Sequence, residues 1–414
     1  MYDVVVVGGG PAGAIAAEDL ARAGHRVALL DKAGKIKPCG GAIPPRLIKD
    51  FAIPDDQIVA RITTARMVSP TGRSVDIPIE NGFVGMVDRG PFDEYLRTRA
   101  VAAGAVRVTG QFLRIERGDT TAVAYRCKQS GAEKHLPTRL IVGADGARSR
   151  VARGEVPGGD TIPYVIAYHE IIAAPAGRGA GAAPGASPPD PQDISGKMKG
   201  RTAYDPARCD VIYDGSVSPD FYGWVFPHGG QASVGMGTGV DGVDLKAATA
   251  RLRDAAGLAD CETIRREGAP IPLKPLDRWD NGRDLVLAGD AAGVVAPSSG
   301  EGIYYAMAGG RAAATAAQAV LASGRAADLA LARKLFMKEH KTVFRVLRSM
   351  QDAYYRSDER RERFVSLCHD RDVQRLTFEA YMNKALVRAR PMAHLKIGVK
   401  NVAHLLRLVP ETYA

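Results

Sequence analysis

The run Val4-Val5-Val6-Val7-Gly8-Gly9-Gly10-Pro11-Ala12-Gly13 constrains the fold more than any other stretch of this 414-residue chain. An apolar strand leads directly into glycines at 8, 10 and 13, and a helix over Ala14–Ala23 is predicted directly behind them. Glycines at that spacing allow a tight turn, close approach of a pyrophosphate to backbone amides, and close packing of helix on strand. The helix N-terminus adds partial positive charge for phosphates. A second strand, Val27-Ala28-Leu29-Leu30, ends in Asp31, eighteen residues after Gly13. A carboxylate there accepts both hydroxyls of a ribose and repels a 2′-phosphate. The chain therefore opens on a dinucleotide-binding βαβ unit.

Two later segments repeat the theme of an Asp beside glycine at the end of an apolar strand. They are Val142-Gly143-Ala144-Asp145-Gly146-Ala147-Arg148-Ser149 and Leu285-Val286-Leu287-Ala288-Gly289-Asp290-Ala291-Ala292-Gly293. Asp145 and Asp290 are thereby placed to bond sugar or ribityl hydroxyls, although each segment alone also reads as an ordinary strand-to-turn junction. The length exceeds one simple core and predicts two or three domains, interleaved in sequence. A helix is expected over Phe92–Ala103 with a strand at Val106–Val108, another strand within 283–290, and an Ala-rich helix within 300–322. The expected class is α/β. A Rossmann-type domain takes 1–60, 88–160 and 276–330, and a mostly antiparallel β substrate domain takes 61–87 and 161–275. A helical, basic segment takes 331–414. The Ala/Gly/Pro-rich stretch 174–200 cannot bury enough surface to offset its ordering entropy and predicts a mobile excursion.

The segment Phe221-Tyr222-Gly223-Trp224-Val225-Phe226-Pro227 holds one of two tryptophans and no charge. At strand period, Tyr222, Trp224 and Phe226 share one face, with Gly223 and Val225 on the other. That face either completes a core or lines an apolar slot, with the indole N–H and the Tyr hydroxyl free to meet polar partners. In Lys37-Pro38-Cys39-Gly40-Gly41-Ala42-Ile43-Pro44 the two glycines let backbone run close beside a planar ring. Cys39 is either a small packed thiol or a proton source.

Hydrophobic residues at 46% and charged residues at 25% describe a globular protein. Five scattered cysteines without a CxxC pair indicate neither a disulfide framework nor a metal site, and point to a reducing cytoplasm. Met1 runs straight into the first strand, so no signal peptide is expected, and no apolar run reaches membrane-spanning length. The net charge of +10 is concentrated: residues 331–414 hold 18 Lys+Arg against 9 Asp+Glu, leaving the rest nearly neutral. That asymmetry favours contact with an anionic surface. No helix-turn-helix, zinc-finger or RNP pattern supports nucleic acid as a partner. Leu395, Val399, Val402, Leu406 and Val409 make an apolar stripe with Lys396, Lys400, His404 and Arg407 off it. Such a helix either lies at a membrane interface or docks on its own domain.

Behind a GxGxxG, the Asp145 and Asp290 elements resemble those of the FAD family that includes the hydroxybenzoate-type monooxygenases. More narrowly, Lys37–Pro44, Val217–Pro227, Gly235-Met236-Gly237 and Pro297-Ser298-Ser299-Gly300-Glu301-Gly302-Ile303-Tyr304 resemble the geranylgeranyl reductase family. Together with Tyr354-Tyr355-Arg356-Ser357 through Thr377-Phe378, they resemble its chlorophyll and bacteriochlorophyll branch. The resemblance spans nearly the whole chain except 174–200. It implies a hydroxybenzoate-hydroxylase-like FAD domain, with FAD held by Gly8, Gly10, Pro11, Ala12, Gly13, Asp31, Lys32, Cys39, Gly40, Gly41, Arg89, Asp145, Asp290, Gly300, Gly302 and Ile303. A helix opening at Ile303 would direct its amides at the flavin N1/O2 edge. The DG element carries its basic residue at Arg153, one position later than in the family. Tyr222, Trp224, Phe226, Pro227, Gly235 and Gly237 would line the prenyl chain, and Cys39, Glu301 and an ordered water are the candidate proton donors.

The implied reaction saturates three isolated alkenes of a geranylgeranyl chain to give phytyl, and the resemblance implies that NADPH visits transiently; the sequence holds no second dinucleotide motif. The substrate is a geranylgeranyl pigment or a free prenyl diphosphate. Asp55-Asp56 lacks the third Asp of a magnesium–diphosphate motif, which favours the pigment. The same motifs also suit an aromatic monooxygenase, a reductase of archaeal-type or quinone prenyl lipids, or a flavin-bound pigment carrier. The expected location is cytoplasmic and peripheral at the inner or photosynthetic membrane.

Overall fold

The computed structural model describes residues 1–34, 37–80, 82–175 and 204–374. The stripe at 395–409, the Thr377-Phe378 pair and most of the 174–200 stretch lie outside them. The chain forms two compact units, one from Met1–Lys37, Arg89–Tyr164 and Pro270–Phe344, the other from Pro38–Asp88, Val165–Ala269 and Arg345–Ala414.

The first unit is built on a parallel sheet. Strand β1 (Tyr2–Val7) leads through helix α1 (Pro11–Arg22) to β2 (Val27–Asp31). Helix α2 (Arg89–Ala102) precedes three long strands, β3 (Val106–Arg117), β4 (Thr121–Cys127) and β5 (Glu133–Gly143). Helix α3 (Arg150–Glu155), β6 (Leu285–Leu287) and α4 (Ile303–Ser323) complete it. The parallel order is β3–β2–β1–β5–β6, with Val5 opposite both Ala28 and Ile141. The expected Rossmann-type α/β architecture is present. Val4–Val6 and Ala28–Leu29 are fully buried, which is why these strands read as unbroken apolar runs rather than alternating ones. Beyond Gly110 and before Thr138, β3 and β5 leave the parallel layer and join through β4 in an antiparallel meander.

Helices α1 and α4 pack against each other through small residues. A Cβ on Gly310 would sit 2.2 Å from the Ala12 carbonyl oxygen, so any side chain there would force the helices apart.

The second unit carries a seven-stranded sheet in the order Thr263–Pro272, Tyr164–Ala173, Gln231–Thr238, Gly223–His228, Arg208–Ile212, Thr64–Val68, Ser74–Pro78. The Arg208–Ile212 and Thr64–Val68 strands pair in parallel, while the pairs on either side are antiparallel, in keeping with the expected mostly antiparallel domain. A smaller sheet joins Ala42–Ile43, Val84–Met86 and Ala60–Ile62. The β-like reading of 161–275 missed a helix at Leu245–Ala255, whose first amides are capped by Asp244. Ala248 and Leu252 of that helix join Val225, Val234 and Met236 in one hydrophobic core of this unit. Helices also occupy Leu331–Tyr354 and Asp358–Leu367, as the helical reading of the segment after 330 anticipates. Among the described residues, no helix is long and apolar enough to cross a membrane.

Candidate functional site

The first unit gathers the three Gly/Asp segments at one edge. Gly8, Asp31, Ala144-Asp145 and Gly289-Asp290 all lie at or just beyond the carboxyl ends of parallel strands, the edge at which open α/β sheets bind ligands. The three motif glycines have three distinct causes. Gly8 has φ +111°, and a Cβ on it would lie 2.2 Å from the Ala144 oxygen. A Cβ on Gly13 would lie 1.8 Å from the Gly8 oxygen, so α1 could not approach the turn. A Cβ on Gly10 would meet nothing within 4 Å. Protein packing therefore explains glycine at 8 and 13, whereas the space before Gly10 suits a ligand pressed on the backbone.

Pro11 and Ala12 begin α1, whose N-terminus has no side-chain cap and leaves amide donors for a phosphate. Helix α4 begins the same way, with Gly302 at its N-cap, no side-chain cap, and Ile303 buried as its first residue. Gly300 adopts φ +62°, and Glu301 is buried between the two glycines.

Asp31 is held by residues that motif spacing did not reveal. Arg97 Nε lies 3.7 Å from its Oδ2, and Arg107 Nη2 lies 4.0 Å from it. Arg97 also donates to the Gly9 carbonyl at 3.0 Å and to Glu94. Glu94 is in turn bound by Arg107, which holds its carboxyl down at about 2. Despite these charges, Asp31 Oδ2 is buried and accepts no hydrogen bond. An orphaned carboxylate oxygen beside a glycine turn fits a ribose hydroxyl, and thus the adenosine end of FAD.

Several other residues expected to hold FAD already meet protein partners. Asp145 accepts from the Ser149 hydroxyl and from the Arg150 and Val151 amides at 2.7 and 3.2 Å, so it caps α3, while burial raises its carboxyl above the ordinary range. Arg153 donates to the Ser149 and Arg148 carbonyls. Asp290, only 6% exposed, forms an ion pair with Lys37. Buried Arg89 grips Asp93 through two bonds of 2.8 Å, and Lys32 is exposed.

The second unit contains Cys39, Gly40, Gly41 and the aromatic strand. Gly41 has φ +71°, and its amide donates to Cys39 Sγ at 3.4 Å. A Cβ on Gly40 would sit 3.0 Å from the Phe226 ring, and one on Gly41 would sit 2.6 Å from His228 Nε2. The planar groups that this glycine pair closely approaches within the unit are thus Phe226 and His228. Burial drives the His228 imidazole down to about 4, although its Nδ1 meets the Phe226 oxygen at 3.0 Å.

Tyr222, Trp224 and Phe226 share a face, with ring centres 6.1 and 6.2 Å apart along the strand. Gly223 and Val225 turn to the opposite face, towards Leu252 and Val234. Tyr222 and Trp224 are 8% and 6% exposed, whereas Phe226 is half-buried. Rings outside the motif continue the row: Tyr213 lies 6.1 Å from Tyr222, with Tyr355 and Phe364 at 5.3 and 5.1 Å from Tyr213. The Gly235 and Gly237 pair clears space beneath this row. A Cβ on Gly235 would lie 2.7 Å from Trp224, and one on Gly237 would lie 3.1 Å from Phe221. Pro227 is buried in the strand.

Residues 2–171 match the family model for pyridine nucleotide-disulphide oxidoreductases. A geranylgeranyl diphosphate reductase of Rhodobacter capsulatus is 64% identical over 413 residues, covering 100% of this chain and 99% of its own. The chloroplastic geranylgeranyl diphosphate reductase of Oryza sativa subsp. japonica is 37% identical over 98% of this chain and 86% of its own. A crystal structure of a geranylgeranyl bacteriochlorophyll reductase-like protein from Thermoplasma acidophilum superposes with a TM-score of 0.72 at 21% identity, covering 98% of each chain.

Proposed function

The chain belongs to the geranylgeranyl reductase family, and from that premise we propose that it is an FAD-dependent reductase that saturates three double bonds of a geranylgeranyl chain to give phytyl. The observation that carries this reading is the 64% match, because it spans both units rather than the dinucleotide-binding one alone. The Gly10 space and the orphaned Asp31 oxygen support FAD as the cofactor. NADPH is the proposed electron donor.

An isolated trisubstituted alkene has no carbonyl to polarise it, so hydride addition must be matched by a proton on the less substituted carbon. Bound FAD, once reduced, supplies the hydride. The faces of Tyr222, Trp224 and Phe226 would stabilise tertiary cationic character by roughly 1–2 kcal/mol each where dry. Burying a twenty-carbon chain against such rings contributes on the order of 10 kcal/mol. Cys39 and Glu301 are the proposed proton donors.

Ion pairing of several described arginines in the second unit supports a pigment-borne chain over a free diphosphate. Arg61, Arg66, Arg208, Arg253, Arg265 and Arg361 each form an ion pair with a carboxylate, which offsets their charge. The excess of basic residues after 330 supports contact with an anionic membrane, and Lys334, Lys338 and Lys341 lie exposed along one helix face. The reading is tested by supplying geranylgeranyl-bacteriochlorophyll or geranylgeranyl diphosphate to the oxygen-free flavoprotein kept reduced by excess dithionite. Products gaining two hydrogens at a time, up to three pairs, are expected. A hydroxylated product formed only with oxygen, or bound pigment left unreduced, would overturn it.

A further inference from the structure

Three residues stand directly opposite one another across three strands of the second unit: Trp224 opposite Gly235, and Gly235 opposite His169. Cross-strand neighbours of this kind point to the same face of the sheet. Because the middle one has no side chain, the outer two lean across it, and the indole and imidazole centres come within 6.2 Å. A Cβ at 235 would lie 2.4 Å from His169 Cβ and 2.7 Å from the indole. Ser233, two residues from Gly235 and therefore on the same face, lies fully buried between the two rings.

The hydrogen bonds of this group run in one direction. The indole N–H can only donate, and it donates to Ser233 Oγ at 3.1 Å. Ser233 Oγ is also 2.8 Å from His169 Nδ1. On the far side of the ring, Glu267 Oε2 lies 3.1 Å from Nε2 as an electrostatic contact outside hydrogen-bond alignment, and Arg265 Nε lies 3.1 Å from the other Glu267 oxygen in the same manner. A carboxylate facing Nε2 selects the tautomer with its proton there, which leaves Nδ1 to accept the serine proton. His169 in turn holds the Glu267 carboxyl below its ordinary range.

We propose that Glu267, His169 and Ser233 form a polar relay that fixes the plane of the Trp224 ring, making His169 and Ser233 positioning residues for the prenyl chain. This inference rests on the reading of Trp224 as a residue that lines that chain. The relay ends on an indole N–H, which gives up no proton under ordinary conditions, so its role is orientation and not proton delivery. A π face stabilises a developing cation only when the cation sits over it, so a tilt of the ring weakens that stabilisation while leaving the buried apolar area unchanged.

The test uses holoprotein labelled with ¹⁵N at tryptophan. The chain has two tryptophans, and the indole N–H signal absent from Trp224→Phe identifies Trp224. Ser233→Ala is expected to move that signal upfield and to lower kcat for alkene saturation about tenfold, equal to 1.4 kcal/mol, with flavin reduction and KM within about twofold. Glu267→Gln, which keeps the serine hydroxyl, is expected to show smaller changes in the same direction and serves alone if Ser233→Ala does not fold. An unmoved signal, or a moved signal with unchanged kcat, overturns the relay. Absence of alkene saturation in the parent protein overturns the functional reading instead, and the NMR arm still decides whether the hydrogen bonds orient the ring.

Discussion

Trp224 and Gly235 face each other on adjacent strands, and the indole occupies the space that any side chain at 235 would fill. The Tyr168 carbonyl oxygen lies 2.5 Å from the same hypothetical Cβ, so the crowding is against backbone as well as rings. Gly235→Ala is therefore expected to cost about 3 kcal/mol, the upper end for overpacking. The denaturant midpoint of the variant measures this. A midpoint equal to the parent's would show that the strands relax without strain.

Gly10 and Gly13 belong to one motif but should fail differently when given a methyl group. Gly13→Ala drives a Cβ onto the Gly8 oxygen and should destabilise the apoprotein by about 1–3 kcal/mol. Gly10→Ala meets no protein atom within 4 Å, so the apoprotein should keep its stability to within about 0.5 kcal/mol. Its FAD affinity should fall at least about tenfold. Thermal melts of apoprotein and flavin titrations separate the two effects.

Asp31→Asn should retain the fold, because the carboxylate oxygen it removes accepts no hydrogen bond from the protein. A bond from a ribose hydroxyl to a charged acceptor is worth about 1.5–3 kcal/mol, so FAD should bind roughly 10- to 150-fold more weakly. Fluorescence quenching of titrated FAD measures this, and unchanged affinity would assign Asp31 to the Arg97 and Arg107 ion pairs alone.

His228 gives stability a specific pH dependence. Its imidazole titrates at about 4 in the folded protein against an ordinary value of 6.5, because burial disfavours its charged form. Between those values the unfolded chain binds a proton that the folded chain does not. Stability is thus fully present above 6.5 and falls as the pH drops towards 4, by at most about 1.4 kcal/mol per pH unit. His228→Asn, which keeps a donor for the Phe226 oxygen, should flatten the slope of urea midpoint against pH in that window. An unchanged slope would place the titration in other groups.

Which parts were legible in the sequence follows from how local each feature is. The strand, glycine turn, helix and Asp31 lie within thirty residues, and each has its own signature. Alternation along one strand likewise sufficed to put Tyr222, Trp224 and Phe226 on one face. The cage around Asp31 was not legible, because Arg97 and Arg107 reach it from a helix and a strand more than sixty residues away. Nor were His169 and Ser233, since only the register of three strands brings them to Trp224. The helix Leu245–Ala255 did have a signal, an Asp cap followed by apolar residues at helical spacing. Its surroundings of β-like sequence outweighed that signal.

In the proposed reaction, alkene reduction and not oxygen chemistry consumes the electrons. This is tested most directly by reducing the bound flavin without oxygen, adding geranylgeranyl-bacteriochlorophyll, and following the flavin absorbance. Reoxidation under strict anaerobiosis is expected with one alkene saturated per flavin, and no reoxidation when phytyl-bacteriochlorophyll is added instead. Flavin that stays reduced until oxygen is admitted, with the geranylgeranyl chain intact, would contradict it.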